Sequence, residues 1–565
     1  MILLAAVLSA LGGCAGPGES GRPDAGRGGE GLPSPARDKA LQHFIDGTVY
    51  EMQGDFAKAV IEYQEALRAE QGAAVYFALA RCYAGLGKHG LAVESGREAV
   101  RLDPDRLEYR RGLAEACVEA MDLEAAEAEY AAILGRDSGD ADAWRGLARI
   151  YQGRNPLKAL AAYTRIADRF GPDWDVLMRM AEIQNSLGLF AEAAGALGRM
   201  LELDPGNQPL RYELAQAHAR AGNFDTSLAL LGDLTRTDPD NPRYAADRAE
   251  VLIRQKRYGE AAGEFRAIRG ADSSALDARI RVAELFYAQA EEDSTLAPAA
   301  ESLWTAVAAG HPQDWRPHWF LGAVGSLTGN DSLAIAGFGR VTRLAPWNPD
   351  GWVSLASLFL NREDHAGGAR VLEEAARNTP EDFRVQFLLG VAYSRMGLSA
   401  EALLPLERAR ALDPQDVNPL IQLALVYDAM GRADKTDPLY EEALRIEPDN
   451  HLVLNNYGYS LAERNIDLDR AYAMARKALD AQPENQSYLD TMGWVCYRRG
   501  KYREAEQYIL QAIARGEAGA VLYEHLGDVY FMMDRPGDAL EQWRAALRLD
   551  AENAGLREKI RRGSL

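Results

Sequence analysis

Cysteine is scarce in this sequence, with four residues among 565. Cys82, Cys117 and Cys496 are far apart and odd in number, which argues against a disulfide framework. Each lies in an apolar stretch with helical spacing, where a free cysteine behaves as a small hydrophobic side chain. We therefore expect these three thiols to be packed in a core, whereas Cys14 lies in a different kind of segment.

Basic residues are outnumbered, since 63 Lys and Arg face 84 Asp and Glu for a net charge of −21. Nucleic-acid binding depends on Lys and Arg that contact phosphates, and anionic lipid surfaces attract the same side chains. The balance therefore argues against nucleic acid as a partner and against membrane binding through charge alone. It favours a solubilising surface over a basic partner.

Motifs that carry catalysis or metal binding are also lacking. The sequence contains no GxxxxGK[ST] phosphate loop, no HExxH and no CxxC, and its eight histidines are scattered. No residue stands out as catalytic or as a metal ligand. We therefore predict a protein that is not an enzyme, with no cofactor, no metal and no small-molecule substrate.

Long apolar runs are lacking except for residues 1–11. That run is shorter than the roughly 20 residues that span a bilayer, and it matches the core of a secretory signal. The ending Leu11-Gly12-Gly13-Cys14 resembles the bacterial lipobox, although no Lys or Arg precedes the run. The resemblance implies a signal peptide over 1–13 and a lipidated Cys14. Because Ala15 is not an aspartate, the resemblance also implies an outer-membrane lipoprotein that faces the periplasm. The alternative is a cytoplasmic protein whose N-terminal segment is not a signal.

The rest of the chain repeats itself. Pro346, Pro380, Pro414 and Pro448 are spaced by 34 residues, and an apolar residue followed by a small one, as in Leu389-Gly390, recurs at the same interval. This pattern resembles the tetratricopeptide repeat (TPR) family, whose unit is a helical hairpin. The small residue lets the two helices cross closely, and the proline ends the second helix. The resemblance implies an all-α, right-handed superhelical solenoid of about fifteen hairpins.

The repeats suggest a domain organisation. Residues 14–38, rich in Gly, Pro and Ser, are expected to form the acylated Cys and a flexible tether. We assign an N-terminal TPR array to 39–269, an irregular repeat with an insertion to 270–312, a C-terminal array to 313–553 and a capping helix to 554–565. The first helix of each repeat is predicted to bury a Gly or an Ala, at Gly47, Ala80, Ala114, Ala148, Ala181, Ala215, Ala249, Ala283, Gly322, Ala356, Gly390, Ala424, Gly458, Gly493 and Gly527.

The resemblance implies a groove lined mainly by the first helix of each hairpin. If the Gly or Ala that follows the apolar residue is counted as the eighth residue of each repeat, the lining positions fall near two, five, six, nine, twelve and thirteen. In the thirteenth and fourteenth repeats these positions hold Asn455, Asn456, Tyr459, Asp490, Trp494, Tyr497 and Arg498. A second candidate patch contains Arg316 and Trp319. Asparagine can pair with a peptide backbone, and Tyr, Trp and Arg dominate binding surfaces. The alternative is that the aromatic residues only pack between repeats.

The resemblance implies a protein–protein scaffold or adaptor. Its partners would be other proteins or extended peptides. The scaffold would act in the cell envelope, in assembly or export. The alternative is a non-catalytic regulatory or structural subunit of an envelope polysaccharide or peptidoglycan machine.

Overall fold

A computed structural model describes residues 35–565. The predicted signal peptide, Cys14 and most of the predicted tether lie outside the described residues. The first described helix begins at Pro35, so residues 35–38, which the sequence analysis assigned to the tether, are helical. The chain divides into two compact units, one ending at Gly270 and one covering Ala271–Leu565.

The described residues form 31 α-helices, numbered α1 to α31 in chain order, and one short 3-10 helix, Ser294–Leu296, between α15 and α16. The α-helices are Pro35–Met52, Phe56–Ala69, Ala73–Gly85, His89–Leu102, Leu107–Glu119, Leu123–Arg136, Ala141–Gln152, Pro156–Phe170, Trp174–Ser186, Phe190–Leu203, Gln208–Arg220, Phe224–Thr237, Pro242–Arg254, Tyr258–Ala267, Ser273–Glu292, Ala297–Gly310, Arg316–Leu327, Asp331–Leu344, Pro349–Leu360, His365–Asn378, Phe383–Arg395, Ser399–Leu412, Asn418–Ala429, Ala433–Ile446, His451–Glu463, Leu468–Ala481, Gln486–Arg498, Tyr502–Ala514, Ala520–Met532, Pro536–Leu549 and Ala554–Arg562.

The helices pair as consecutive hairpins. The first unit contains seven hairpins, α1 to α14, and the second contains eight, α15 to α30, followed by the single helix α31. The all-α class, the number of hairpins and the terminal helix are therefore as predicted. In the irregular eighth hairpin, the first helix, α15, is lengthened to 20 residues.

Turn chemistry explains where each hairpin bends. Gly397, Gly431 and Gly500 lie between the two helices of their hairpins with φ of +74°, +68° and +75°. This left-handed conformation is open to glycine without steric cost. One repeat after Gly500, Asp534 adopts the same conformation with φ +58°. The backbone geometry thus repeats even where glycine does not.

The small residues of the first helices are buried, as predicted. The large side chain that each glycine faces comes from the second helix of the same hairpin, sixteen residues later. A Cβ added at Gly527 would lie 2.5 Å from Trp543 Cδ1, and one added at Gly493 would lie 2.6 Å from Ile509 Cγ1. Real carbon atoms do not approach so closely, so any larger residue would force the helices apart.

The three cysteines of the described residues are free and buried, as expected of packed thiols. Burial raises the pKa of Cys82 to about 12 and the pKa of Cys496 to about 11. Such thiols are not reactive at neutral pH. Between Pro35 and Leu565, no helix combines the length and the apolar character needed to cross a bilayer.

Candidate peptide-binding groove

Four helices position the candidate groove: α23, α25, α27 and α29, the first helices of the last four hairpins. Their sequences contain five carboxylates but one Lys or Arg, namely Arg498. The carboxylates are Asp428, Glu463, Asp490, Glu524 and Asp528. Per residue, the net negative charge of these four helices is therefore about twice that of the whole chain.

A pocket of about 500 Å³ opens between the twelfth and thirteenth hairpins. We call it the acidic pocket; it is lined by Leu425, Asp428, Gly431, Ala433, Asn455, Asn456, Tyr459, Ser460, Glu463 and Arg464. Three of the predicted groove residues, Asn455, Asn456 and Tyr459, thus come together in one cavity.

Asn455 has an unsatisfied amide in this pocket. Its side chain is only 5% exposed, and its Nδ2 donates to Asn456 Oδ1 at 3.3 Å. No group among the described residues donates a hydrogen bond to Asn455 Oδ1. Leaving a buried acceptor unpaired costs about 1–3 kcal/mol, so a ligand N–H that reached this oxygen would recover part of that cost.

Two carboxylates give the acidic pocket its charge. Asp428 accepts a hydrogen bond from Ser460 Oγ at 3.0 Å, and burial raises the pKa of Asp428 although this hydrogen bond opposes the shift. Within the described part of the chain, neither Asp428 nor Glu463 has a Lys, Arg or His nitrogen within 4.0 Å. The nearby Arg464 is engaged elsewhere, since its Nη2 lies 2.6 Å from Asp437 Oδ1. The two carboxylates of the pocket therefore form no ion pair within 4.0 Å, although the charge of Arg464, which also lines the pocket, opposes the rise in the pKa of Asp428.

A second cluster lies next to the acidic pocket, around His525 of α29. Asp490 Oδ1 lies 2.9 Å from His525 Nδ1, and the His525 ring stacks on Trp494 with centroids 4.0 Å apart. Tyr497 also stacks on Trp494, with ring centroids 4.7 Å apart. The Tyr459 ring is 6.3 Å from His525 and so connects this cluster to the acidic pocket. Burial, followed by the charges of Glu463 and Asp490, raises the pKa of Tyr459.

Two of the residues predicted for the groove, Trp494 and Arg498, make contacts within the protein. Trp494 is only 6% exposed and packs inside the aromatic cluster. Arg498 Nε donates to the carbonyl of Ala462 at 2.8 Å, and its Nη2 donates to the carbonyl of Glu463 at 2.7 Å. These are last-turn carbonyls of α25, which have no partner within their own helix. Arg498 therefore joins α27 to the end of α25 through two main-chain hydrogen bonds.

The second predicted patch lies in the ninth hairpin, apart from the acidic pocket. Arg316 Nη2 forms an ion pair with Asp314 at 2.6 Å. Trp319 packs edge-on against Phe320 and Phe338, with centroids 5.0 and 6.3 Å apart. Both side chains are partly exposed, but each already has partners within its own repeat or the next element. Neither side chain is among the residues that line the acidic pocket.

Sequence reasoning omitted five residues of this region: Asp428, Glu463, Glu524, His525 and Asp528. They occupy positions twelve, thirteen, five, six and nine of their repeats, which the lining rule already includes. Four of them lie in the twelfth and fifteenth repeats, to which the rule was not applied, whereas Glu463 lies in the thirteenth repeat and was passed over although the rule covers its position. The described residues, 35–565, contain no group of three or more His, Cys, Asp or Glu side chains arranged to hold a metal ion.

Comparison with known families gives a consistent match. The tetratricopeptide repeat matches residues 47–106, 97–141, 145–208, 353–417 and 491–556 in one form. Two further forms of the same repeat match residues 185–250 and 418–450. The first form alone spans more than half of the chain.

Three curated bacterial relatives share part of the sequence. A TPR repeat-containing protein of Pseudomonas aeruginosa is 32% identical over 27% of this chain and 26% of its own length. Cellulose synthase operon protein C of Pseudomonas fluorescens is 22% identical over 76% of this chain and 35% of its own length. The type IV pilus assembly protein PilF of Pseudomonas aeruginosa is 28% identical over 25% of this chain and 55% of its own length. The chain thus spans from about a quarter to just over half of these relatives.

Proposed function

We propose that this chain, which belongs to the tetratricopeptide repeat family, is a non-catalytic scaffold that holds extended segments of other proteins. The observation that carries the proposal is the acidic pocket, where buried Asn455 offers an unpaired acceptor beside Asn456 and Tyr459. A segment in extended conformation presents unpaired main-chain N–H and C=O groups, which asparagine side chains can satisfy together.

The cellular setting that we propose is the cell envelope, in assembly or export. One relative is named for type IV pilus assembly and another for a cellulose synthase operon. Both names concern material that is built at or beyond the membrane. The scaffold would belong to this setting if its N-terminal Cys14 is acylated, as the resemblance to the lipobox implies.

We propose an outer-membrane lipoprotein facing the periplasm. Several acyl chains anchor a protein stably, whereas one does not. We expect the wild-type protein to sediment with outer membranes and Cys14→Ala to be released in the soluble fraction. Mass spectrometry of the N-terminal peptide should show the acyl mass on Cys14. Unchanged fractionation together with an unmodified Cys14 would contradict the anchor.

A second candidate function is a regulatory or structural subunit of an envelope polysaccharide or peptidoglycan machine. The observation in its favour is the relative named for the cellulose synthase operon, which aligns with 76% of this chain. Binding of cello-oligosaccharide or peptidoglycan fragments to the purified protein would favour this function over the scaffold. The chemistry would still belong to another subunit.

The scaffold proposal predicts a partner that depends on the pocket amides. Crosslinking in native membranes followed by affinity capture should recover a defined protein with the wild type. The double variant Asn455→Ala/Asn456→Ala should lower that recovery about tenfold, which corresponds to about 1.4 kcal/mol of binding free energy. The matched control is Gln507→Ala/Gln511→Ala, which removes two exposed amides from the second helix α28. Equal losses in both variants would contradict the proposal.

A further inference from the structure

We propose that the acidic pocket selects a Lys or Arg side chain from the bound segment and holds it between Asp428 and Glu463. This inference rests on the scaffold function proposed above and names the chemistry of its partner. The main chain of the same segment would donate to Asn455 Oδ1, the buried acceptor that lacks a partner in the described structure. The acidic pocket would thus recognise both the extended main chain and the positively charged side chain of the bound segment.

Charge complementarity is the first argument. The four first helices of the region carry five carboxylates and a single arginine. That arginine, Arg498, donates to two backbone carbonyls of α25 and forms no ion pair with Asp428 or Glu463. Arg464, the other nearby cation, is paired with Asp437 through two hydrogen bonds of 2.6 and 3.1 Å. A cation from outside the chain would therefore meet two carboxylates, Asp428 and Glu463, that form no ion pair within 4.0 Å in the described part of the chain.

The second argument is that the same face already binds one lysine of this chain. Lys559 of the terminal helix α31 places its Nζ 2.8 Å from Glu524 Oε1 and 2.8 Å from Asp528 Oδ2. Glu524 and Asp528 are one helical turn apart on α29. The first-helix face of the fifteenth hairpin thus accommodates an ammonium group among carboxylates. Asp428 and Glu463 offer the same acceptor type three and two hairpins earlier, without an ion-paired cation.

The third argument concerns the walls of the pocket. Tyr459 lines the acidic pocket beside Glu463, and Leu425 adds apolar surface. The long aliphatic stem of a Lys or Arg side chain packs on such surface while its charged end reaches the carboxylates. An aromatic ring next to the cation adds a favourable interaction of its own. An acidic side chain would meet repulsion from Asp428, so the pocket also discriminates against it.

Fluorescence anisotropy with defined peptides tests this selection on the full chain. The probe is a labelled nine-residue peptide of alanine, serine and threonine with one central arginine. Two further probes carry glutamine or glutamate at that position. We expect the arginine peptide to bind about tenfold more tightly than the glutamine peptide and the glutamate peptide to bind more weakly still. Equal affinity for arginine and glutamine would overturn the selection.

Matched variants separate the pocket from the general negative charge of the chain. Asp428→Asn/Glu463→Gln should abolish the preference for arginine. Asp480→Asn/Glu517→Gln removes the same charge from exposed positions outside the acidic pocket and should leave the preference unchanged. Melting curves of both variants confirm that they remain folded. Arginine preference that survives in the pocket variant, or that is lost equally in the control, would overturn the assignment.

The outcomes also separate this inference from the scaffold function. If native crosslinking yields an amide-dependent partner but the peptides show no charge preference, the scaffold stands and the selection of a cation falls. If neither the partner nor any peptide binds, both fall.

Discussion

Replacing Lys559 with methionine is expected to lower the free energy of unfolding of the last hairpin by about 2–4 kcal/mol, because it leaves buried carboxylate charge without its partner. Lys559 holds Glu524 and Asp528 of α29 from the terminal helix α31, and its side chain is 21% exposed while that of Asp528 is 6% exposed. Methionine keeps most of the aliphatic stem but leaves two neighbouring carboxylates without their cation. Urea unfolding and hydrogen exchange of α31 measure the loss.

The control for this change is Lys477→Met. Lys477 forms an ion pair with Asp449, but the two side chains are 55% and 82% exposed. Exposed pairs contribute at most about 1 kcal/mol, so this variant should unfold nearly as the wild type does. Equal destabilisation by both variants would mean that the α31 contact is an ordinary surface ion pair.

The pH dependence of the Lys559→Met effect has a definite sign. Burial raises the pKa of Asp528 in the folded protein, and the loss of Lys559 raises it further because the lysine charge opposed the shift. A carboxyl group with a raised pKa stabilises the fold at low pH, and that contribution is lost as the pH rises through the raised pKa. The deficit of the variant should therefore be largest near neutral pH and should shrink as the pH falls toward the usual aspartate value of 3.8. A deficit independent of pH would contradict this account.

The second large effect is expected at Gly337 of α18. An alanine Cβ there would lie within 2.7 Å of Gly322 Cα and of the His318 carbonyl oxygen, both on α17. Because these are main-chain atoms of the facing helix, the two helices must separate. We expect Gly337→Ala to lower the free energy of unfolding by about 2–3 kcal/mol.

Gly339, two residues later on the same helix, provides a closely matched control. A Cβ at this position would meet only the end of Arg343, 3.8 Å away. Replacing a helical glycine with alanine gains about 1 kcal/mol when space is available, so Gly339→Ala should stabilise the protein. The two variants should therefore differ by about 3–4 kcal/mol in urea unfolding of the second unit. Similar behaviour would contradict the hairpin register.

The fold was predictable because one 34-residue pattern specifies helix length, turn and crossing at the same time. Buried Gly493 and Gly527 follow from that spacing alone, since only a small residue fits where the second helix presents Ile509 or Trp543. The left-handed turn at Asp534 was harder to predict from the sequence, because aspartate adopts this conformation less readily than glycine. Its place one repeat after Gly500 is what identifies it.

The candidate site was predictable only in part. The lining rule selected Asn455, Asn456 and Tyr459, which line one cavity. It could not distinguish these from Arg498, because an arginine that faces a groove and one that caps a neighbouring helix occupy the same repeat position. Hydrogen-bond partners across hairpins depend on how repeats stack, and the repeat pattern does not contain that information.

The most direct test of the central claim uses a photo-reactive phenylalanine analogue in place of Tyr459, within intact cells. Mass spectrometry then identifies the crosslinked segment. We predict one discrete partner protein joined through an extended segment that contains Lys or Arg. The same analogue at Leu510, an exposed residue on the second helix α28, should give no such product. Crosslinks at Leu510 but not at Tyr459, or the same products at both, would contradict the claim that the first-helix groove binds partners.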